Sequence, residues 1–151
     1  MIERRQVATA ENWHSLPAAG EGEQMASEKL TKIMEATFKG ETMEVGLYLA
    51  MAKKAELEGL ADVATYFRQL AGEEAGHACE VGTLLGKIKP TTKENIEYML
   101  GGEAMATKEK ADAARIAREE GFNEAATFFD GASRDENRHR SGLEGFLKKL
   151  R

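Results

Sequence analysis

From Ser27 onward apolar residues recur every three or four positions, and alternation of β-branched residues is absent. That spacing gathers them on one side of a helix, so the fold class is expected to be all-α. A first helix is expected after Ser27, an N-cap residue with Glu28 in the first turn. Its apolar stripe includes Leu30, Ile33, Phe38, Val45, Tyr48 and Ala52, and Gly59 should end it. A second helix is expected from near Asp62, with Val63, Tyr66, Phe67, Leu70, Val81, Leu84 and Ile88 on its stripe, stopping before Pro90. A third should open at Thr91, whose spacing to Glu94 fits a capping box, and run past Ile96, Met99, Leu100 and Ile116 to Gly121. The fourth carries Phe128, Phe129, Leu143, Phe146, Leu147 and Leu150.

Short hinges at Gly59 and Gly121 predict two antiparallel helix hairpins. The middle connection, Gly86 to Asn95, is longer and holds Pro90. Four helices with one longer connection match the ferritin-like variant of the antiparallel four-helix bundle. At 151 residues the chain is long enough for one domain with one real core. Residues 1–26 are polar and Gly-rich, with Trp13 and His14, and are expected to form a flexible arm ahead of the bundle at 27–151.

Composition narrows the function. Acidic residues number 26 and basic residues 21, a net charge of −5 without the basic face of a nucleic-acid binder. No apolar run approaches a membrane span, and no apolar stretch follows Arg4 and Arg5 as in a secretory signal, so the cytoplasm is the expected compartment. The single cysteine, Cys79, excludes a disulfide framework, a zinc ribbon and a rubredoxin-type iron site within these residues. It lies two residues past His77, off the ligand face, and is expected to be a packed small thiol.

A shift of 62 residues overlays the chain on itself without a gap. Gly40-Glu41 falls on Gly102-Glu103, Ala52 and Ala55 on Ala114 and Ala117, and Glu58-Gly59 on Glu120-Gly121. Glu74 falls on Glu136 and His77 on His139. The two hairpins are therefore expected to be similar and to pack about a pseudo-twofold axis.

Charged residues interrupt the stripes in phase with them. Glu41 is three after Phe38, Glu74 four after Leu70, His77 four before Val81, and Glu103, Glu136 and His139 repeat the pattern. All six should point inward. Glu41 and Glu103 lie 18 residues before their hinge glycines, and the Glu-x-x-His pairs lie 15 and 18 after them. At about 1.5 Å per residue the six share one level, roughly 25 Å from the hinges. Four buried carboxylates must pair, protonate or bind metal. Two divalent cations balance four negative charges, and hard oxygens with two imidazoles suit iron or manganese, with zinc also possible. One Glu from each of two helices plus Glu-x-x-His from each of the others is the ligand set of di-iron and di-manganese bundles.

At these residues, over about 29 to 150, the chain resembles the rubrerythrin family. The resemblance lies in Gly40-Glu41, the stretch from Ala71 to Ala78, Gly102-Glu103, the segment from Ala114 to Phe122, and Glu136-Asn137-Arg138-His139. It implies two iron ions that reduce hydrogen peroxide to water, in an all-helical homodimer, with helix hairpins exchanged between subunits in some relatives. It makes Glu74 and Glu136 bridging ligands, makes Glu41, His77, Glu103 and His139 terminal ligands, and matches Tyr48 to a tyrosine near the site.

Two departures stand out. The rubredoxin-like module is missing, so electrons must come from a separate donor protein. The family's extra Glu three residues after the third-helix ligand is Ala106 here, while Glu44 stands at the equivalent place in the first half. Glu44 is therefore a candidate ligand that exchanges with His139, a mirrored form of the family's switch, or else a residue behind the ligands or facing solvent. Tyr48 is expected to hydrogen-bond a ligand carboxylate. Gly40 and Gly102, each preceding a ligand Glu, suggest close helix approach or room for substrate. The leading function is a di-iron peroxidase. Alternatives are an oxidase reacting with dioxygen, iron sequestration or ferroxidation, and a bundle holding an inert ion.

Overall fold

A computed structural model describes residues 26–150, so the expected arm, with Trp13 and His14, lies almost wholly outside the described residues. Four helices follow one another: α1 (Glu28–Leu57), α2 (Ala61–Leu84), α3 (Thr92–Glu119) and α4 (Asn123–Lys149). The expected caps are formed. Ser27 Oγ accepts the Leu30 N–H at 3.2 Å. Thr91 and Glu94 complete the capping box, Thr91 Oγ1 accepting from the Glu94 N–H and the Glu94 carboxylate from the Thr91 N–H.

Both hinges are left-handed glycine turns, Gly59 at φ 77° and Gly121 at φ 81°. Each closes a Schellman motif: Leu60 N–H donates to the Ala55 carbonyl at 2.9 Å, and Phe122 N–H to the Ala117 carbonyl at 2.8 Å. The chain then reverses, and α1 packs on α2, α3 on α4. The closest packing is made by small residues near the hinges. Ala52, Ala55 and Ala64 are buried in the first hairpin, and their repeat mates Ala114, Ala117 and Ala126 in the second. An ion pair bridges each hairpin near its hinge with the charges reversed between halves: Arg68 to Glu56 at 2.5 Å in one, Arg118 to Asp130 in the other.

The middle connection differs from expectation. α2 ends at Leu84 because Gly86 (φ 65°) forms a third Schellman turn, Lys87 N–H donating to the Gly82 carbonyl at 3.0 Å. Ile88, expected on the α2 stripe, lies beyond the helix and is 60% exposed. Asn95 lies inside α3, where its side chain bonds the backbone of Lys89 and Thr91. The link is thus only Leu85 to Thr91, seven residues between Leu84 and Thr92.

The all-α class and the two similar hairpins stand, but the hairpins do not close on each other within one chain. No helix of the first contacts a helix of the second. Much of each stripe is left uncovered as a result: Ile33, Tyr66, Leu84, Met99, Phe128 and Phe146 are all exposed. No large side chain among the described residues is fully buried. No helix among them is long and apolar enough to cross a membrane.

The hinge turns yield a stability prediction. Gly121→Ala places a Cβ in the left-handed region and should destabilise the chain by about 1–2 kcal/mol. Chemical denaturation would show this as a lower midpoint at unchanged slope, and an unchanged midpoint would refute it.

Candidate metal centre

The helices hold the six predicted ligands in two triads. α1 supplies Glu41 and α2 supplies Glu74 and His77; α3 supplies Glu103 and α4 supplies Glu136 and His139. Within each triad the donor atoms lie within 4.8 Å of one another. The Glu-x-x-His spacing puts carboxylate and imidazole one helical turn apart on one face. His77 Nδ1 is 2.9 Å from Glu74 Oε2 and 3.6 Å from Glu41 Oε2. In the second triad the corresponding distances are 3.1 Å to Glu136 and 3.6 Å to Glu103. The two triads lie on separate hairpins, which make no helix contact with each other in this structure.

Each triad has donors that could hold a cation. Its carboxylates are only 14–23% exposed, while His77 and His139 are 60% and 48% exposed on the uncovered face. Two carboxylates forced together share a proton when no cation stands between them. A hydrogen bond between Glu41 and Glu74 raises the Glu41 carboxyl above its ordinary 4.5 and lowers Glu74. Glu103 is likewise raised by its hydrogen bond with Glu136. Bonding to Glu74 raises His77 above 6.5. Glu103 Oε2 is buried without a hydrogen-bond partner, a free acceptor directed at a place a cation would satisfy. Hard oxygens and imidazole are the donors expected for iron, manganese or zinc.

The second triad holds a residue that the sequence reading missed. The Lys110 ammonium bonds Glu136, with 29% of its side chain exposed. That contact, ahead of those with Glu103 and His139, lowers Glu136 to about 2. Lys110 is the repeat mate of Tyr48, and that offset was the signal available in the sequence.

The other candidates are placed as follows. Glu44 is half-buried one turn after Glu41, near enough for its charge to help raise the Glu41 carboxyl. Tyr48 is half-buried, and its ring stacks on Phe67 with centroids 6.1 Å apart. The expected hydrogen bond from Tyr48 to a ligand carboxylate is absent among the described residues. Gly40 and Gly102 have no neighbour within 4 Å of a built Cβ, so close helix approach within the chain is not their role. Cys79 is exposed rather than packed, in an apolar groove with Phe38, Val45 and Gly82 that nothing among the described residues covers.

A family model described as Rubrerythrin matches residues 32–150. An uncharacterised protein of Methanocaldococcus jannaschii is 50% identical over 121 residues, 80% of this chain and 86% of that protein. Reverse rubrerythrin-1 of Clostridium acetobutylicum is 35% identical over 117 residues, 77% of this chain and 65% of that protein. Among solved structures, Rhodobacter capsulatus bacterioferritin, described with a metal-free dinuclear site and heme iron, is 24% identical. The match covers 83% of this chain and 87% of that one with a TM-score of 0.40.

The shared protons predict a pH dependence. A cation needs ionised carboxylates and neutral imidazoles, whereas Glu41, Glu103 and His77 hold their protons to higher pH than usual. Cation uptake should therefore release protons, and affinity should rise as pH increases from below 4.5 to above 6.5. Calorimetric titration with manganese(II) in buffers of different ionisation enthalpy checks this. Uptake without proton release at about pH 6 would contradict it.

Proposed function

The chain belongs to the rubrerythrin family, and on that premise we propose that it is a non-haem di-iron oxidoreductase that reduces hydrogen peroxide to water. The observation carrying this reading is the pair of Glu, Glu, His triads, which together supply four carboxylates and two imidazoles. Two bound iron ions would supply the two electrons that, with two protons, convert one peroxide to two waters. Manganese or zinc would fit the same donors.

The chain's own residues do the rest. Glu41, Glu74 and His77 from one triad and Glu103, Glu136 and His139 from the other would hold the two ions. The four carboxylates would balance the charge of two divalent cations. Lys110 holds one oxygen of Glu136 and so fixes how that carboxylate turns. Tyr48, seated on Phe67, closes the hinge side of the first triad. Glu44, one turn from Glu41, would be a spare donor able to take the place of His139. Its nearness to Glu41 supports that role.

The single cysteine of these 151 residues cannot form an iron–thiolate relay, so the electrons come from outside them, and a separate donor protein is the proposed source. A homodimer is the functional unit. Its support is the exposed apolar stripe on both hairpins, which a second copy would cover.

Peroxide and dioxygen can be compared directly. Protein loaded anaerobically with ferrous iron should develop ferric absorption far faster with one equivalent of peroxide than with dioxygen, and reductant should reverse it. An equal or faster reaction with dioxygen would replace this reading with an oxidase or an iron-handling protein. Glu44→Ala should lower peroxide turnover by about tenfold or more while the fold persists. Unchanged turnover and unchanged iron binding would remove Glu44 from the site.

A further inference from the structure

The two triads carry the same three ligands but not the same neighbours. Glu44 follows Glu41 by three residues, where the second half has Ala106. Lys110 follows Glu103 by seven, where the first half has Tyr48. All four residues are half-buried, on the ligand faces of α1 and α3. The repeat has thus kept the donors and changed the charge around them: the first triad gains a third carboxylate, the second an ammonium.

The ammonium is engaged with a ligand. Glu136 Oε1 accepts from Lys110 Nζ, and Glu136 Oε2 lies 3.1 Å from His139 Nδ1, so both oxygens of that carboxylate have partners. Both side chains are largely covered, so water screens the contact only in part. The first hairpin has no counterpart. Glu74 Oε2 is 2.9 Å from His77 Nδ1, and among the described residues no Lys or Arg pairs with Glu41 or Glu74.

A divalent cation feels these neighbours directly. At the second triad it must share Glu136 with an ammonium or displace it, and it then sits near a like charge. At the first triad it meets no such charge, and Glu44 adds attraction. With their carboxylates ionised, Glu41, Glu44 and Glu74 bring three negative charges, whereas Glu103, Glu136 and Lys110 together bring a net of one. Oxygen-ligand cation sites are tuned over orders of magnitude by that count.

We propose that the two triads are unequal cation sites, the first filling before the second, and that Lys110 sets this order by holding Glu136. The proposal rests on the metal-centre reading above for the triads themselves, though not for their union. Lys110 acts through Glu136 and is a positioning residue rather than a ligand. Its ammonium keeps Glu136 paired whenever the second cation is absent, so the second site is stable empty. The first triad has no such substitute. The outcome is one firmly held ion and one that is readily exchanged.

Manganese(II) titrations at constant pH, followed by the EPR signal of the free ion, read the order. Two half-site variants of the whole chain isolate the triads: E103A/E136A/H139A leaves the first, and E41A/E74A/H77A leaves the second. Circular dichroism checks that both remain helical. The first triad should bind at least about tenfold more tightly than the second. Adding K110M to the second-triad variant should bring the two within about threefold, whereas K110R, which keeps the charge, should leave the gap. E44Q should weaken the first triad by about threefold or more. Equal affinities, a tighter second triad, or a gap that survives K110M would overturn the proposal. So would two uptake steps of equal affinity in the wild type. If neither half-site variant binds manganese, the triads fail as cation sites and the proposal fails with them. An exchange-coupled spectrum from the wild type at two equivalents belongs to the joined centre. Its absence would refute that union, while the order of filling is still decided by the half-site affinities.

Discussion

Four carboxylates set into the apolar stripes are the constraint on which the rest depends. A carboxylate among Phe, Leu and Val side chains cannot stay ionised there without a partner. In each hairpin the chain sets Glu41 beside Glu74, or Glu103 beside Glu136, which raises the Glu41 and Glu103 carboxyls above their ordinary range, and places an imidazole beside them. Such a site is poised rather than satisfied. Glu103 Oε2 has no hydrogen-bond partner, and Glu41 and Glu74 stand close enough to raise one carboxyl and lower the other. Structure and chemistry are thus joined at the same atoms: the groups that are costly to bury are those that would ligate iron.

Each hairpin can seat its own triad because alanine lets the helices approach. Ala52, Ala55 and Ala64, with their mates in the second half, bring paired helices together near the glycine hinges. The antiparallel helices then run side by side to the triads, 15 to 18 residues from the hinges. The cost is a narrow core. Alanine seams bury little apolar area, and the larger residues of each stripe remain outside. A hairpin of this kind is half of a bundle in both packing and chemistry.

The sequence made the helices, their caps and their hinges legible because these depend on local chemistry. Ser27, Thr91 with Glu94, Gly59 and Gly121 act through hydrogen bonds a few residues away. The triads were legible because the repeat shows each ligand twice. What escaped the reading is longer in range or subtler in kind. An apolar stripe at Ile33, Tyr66 and Met99 says that a face will be covered, but not by which chain. Pro90 drew attention as the stop of α2, whereas Gly86 acts four residues earlier and shortens the link. Lys110 resembles an ordinary polar break in a stripe until its place opposite Tyr48 in the repeat is noticed.

The chemistry proposed for these residues requires that the two triads form one binuclear centre. Anomalous diffraction from crystals of the manganese-loaded protein would show this directly. Two anomalous peaks about 3.5–4 Å apart, flanked by Glu41, Glu74 and His77 on one side and Glu103, Glu136 and His139 on the other, are the expected result. Single peaks on separated triads, or none, would contradict it.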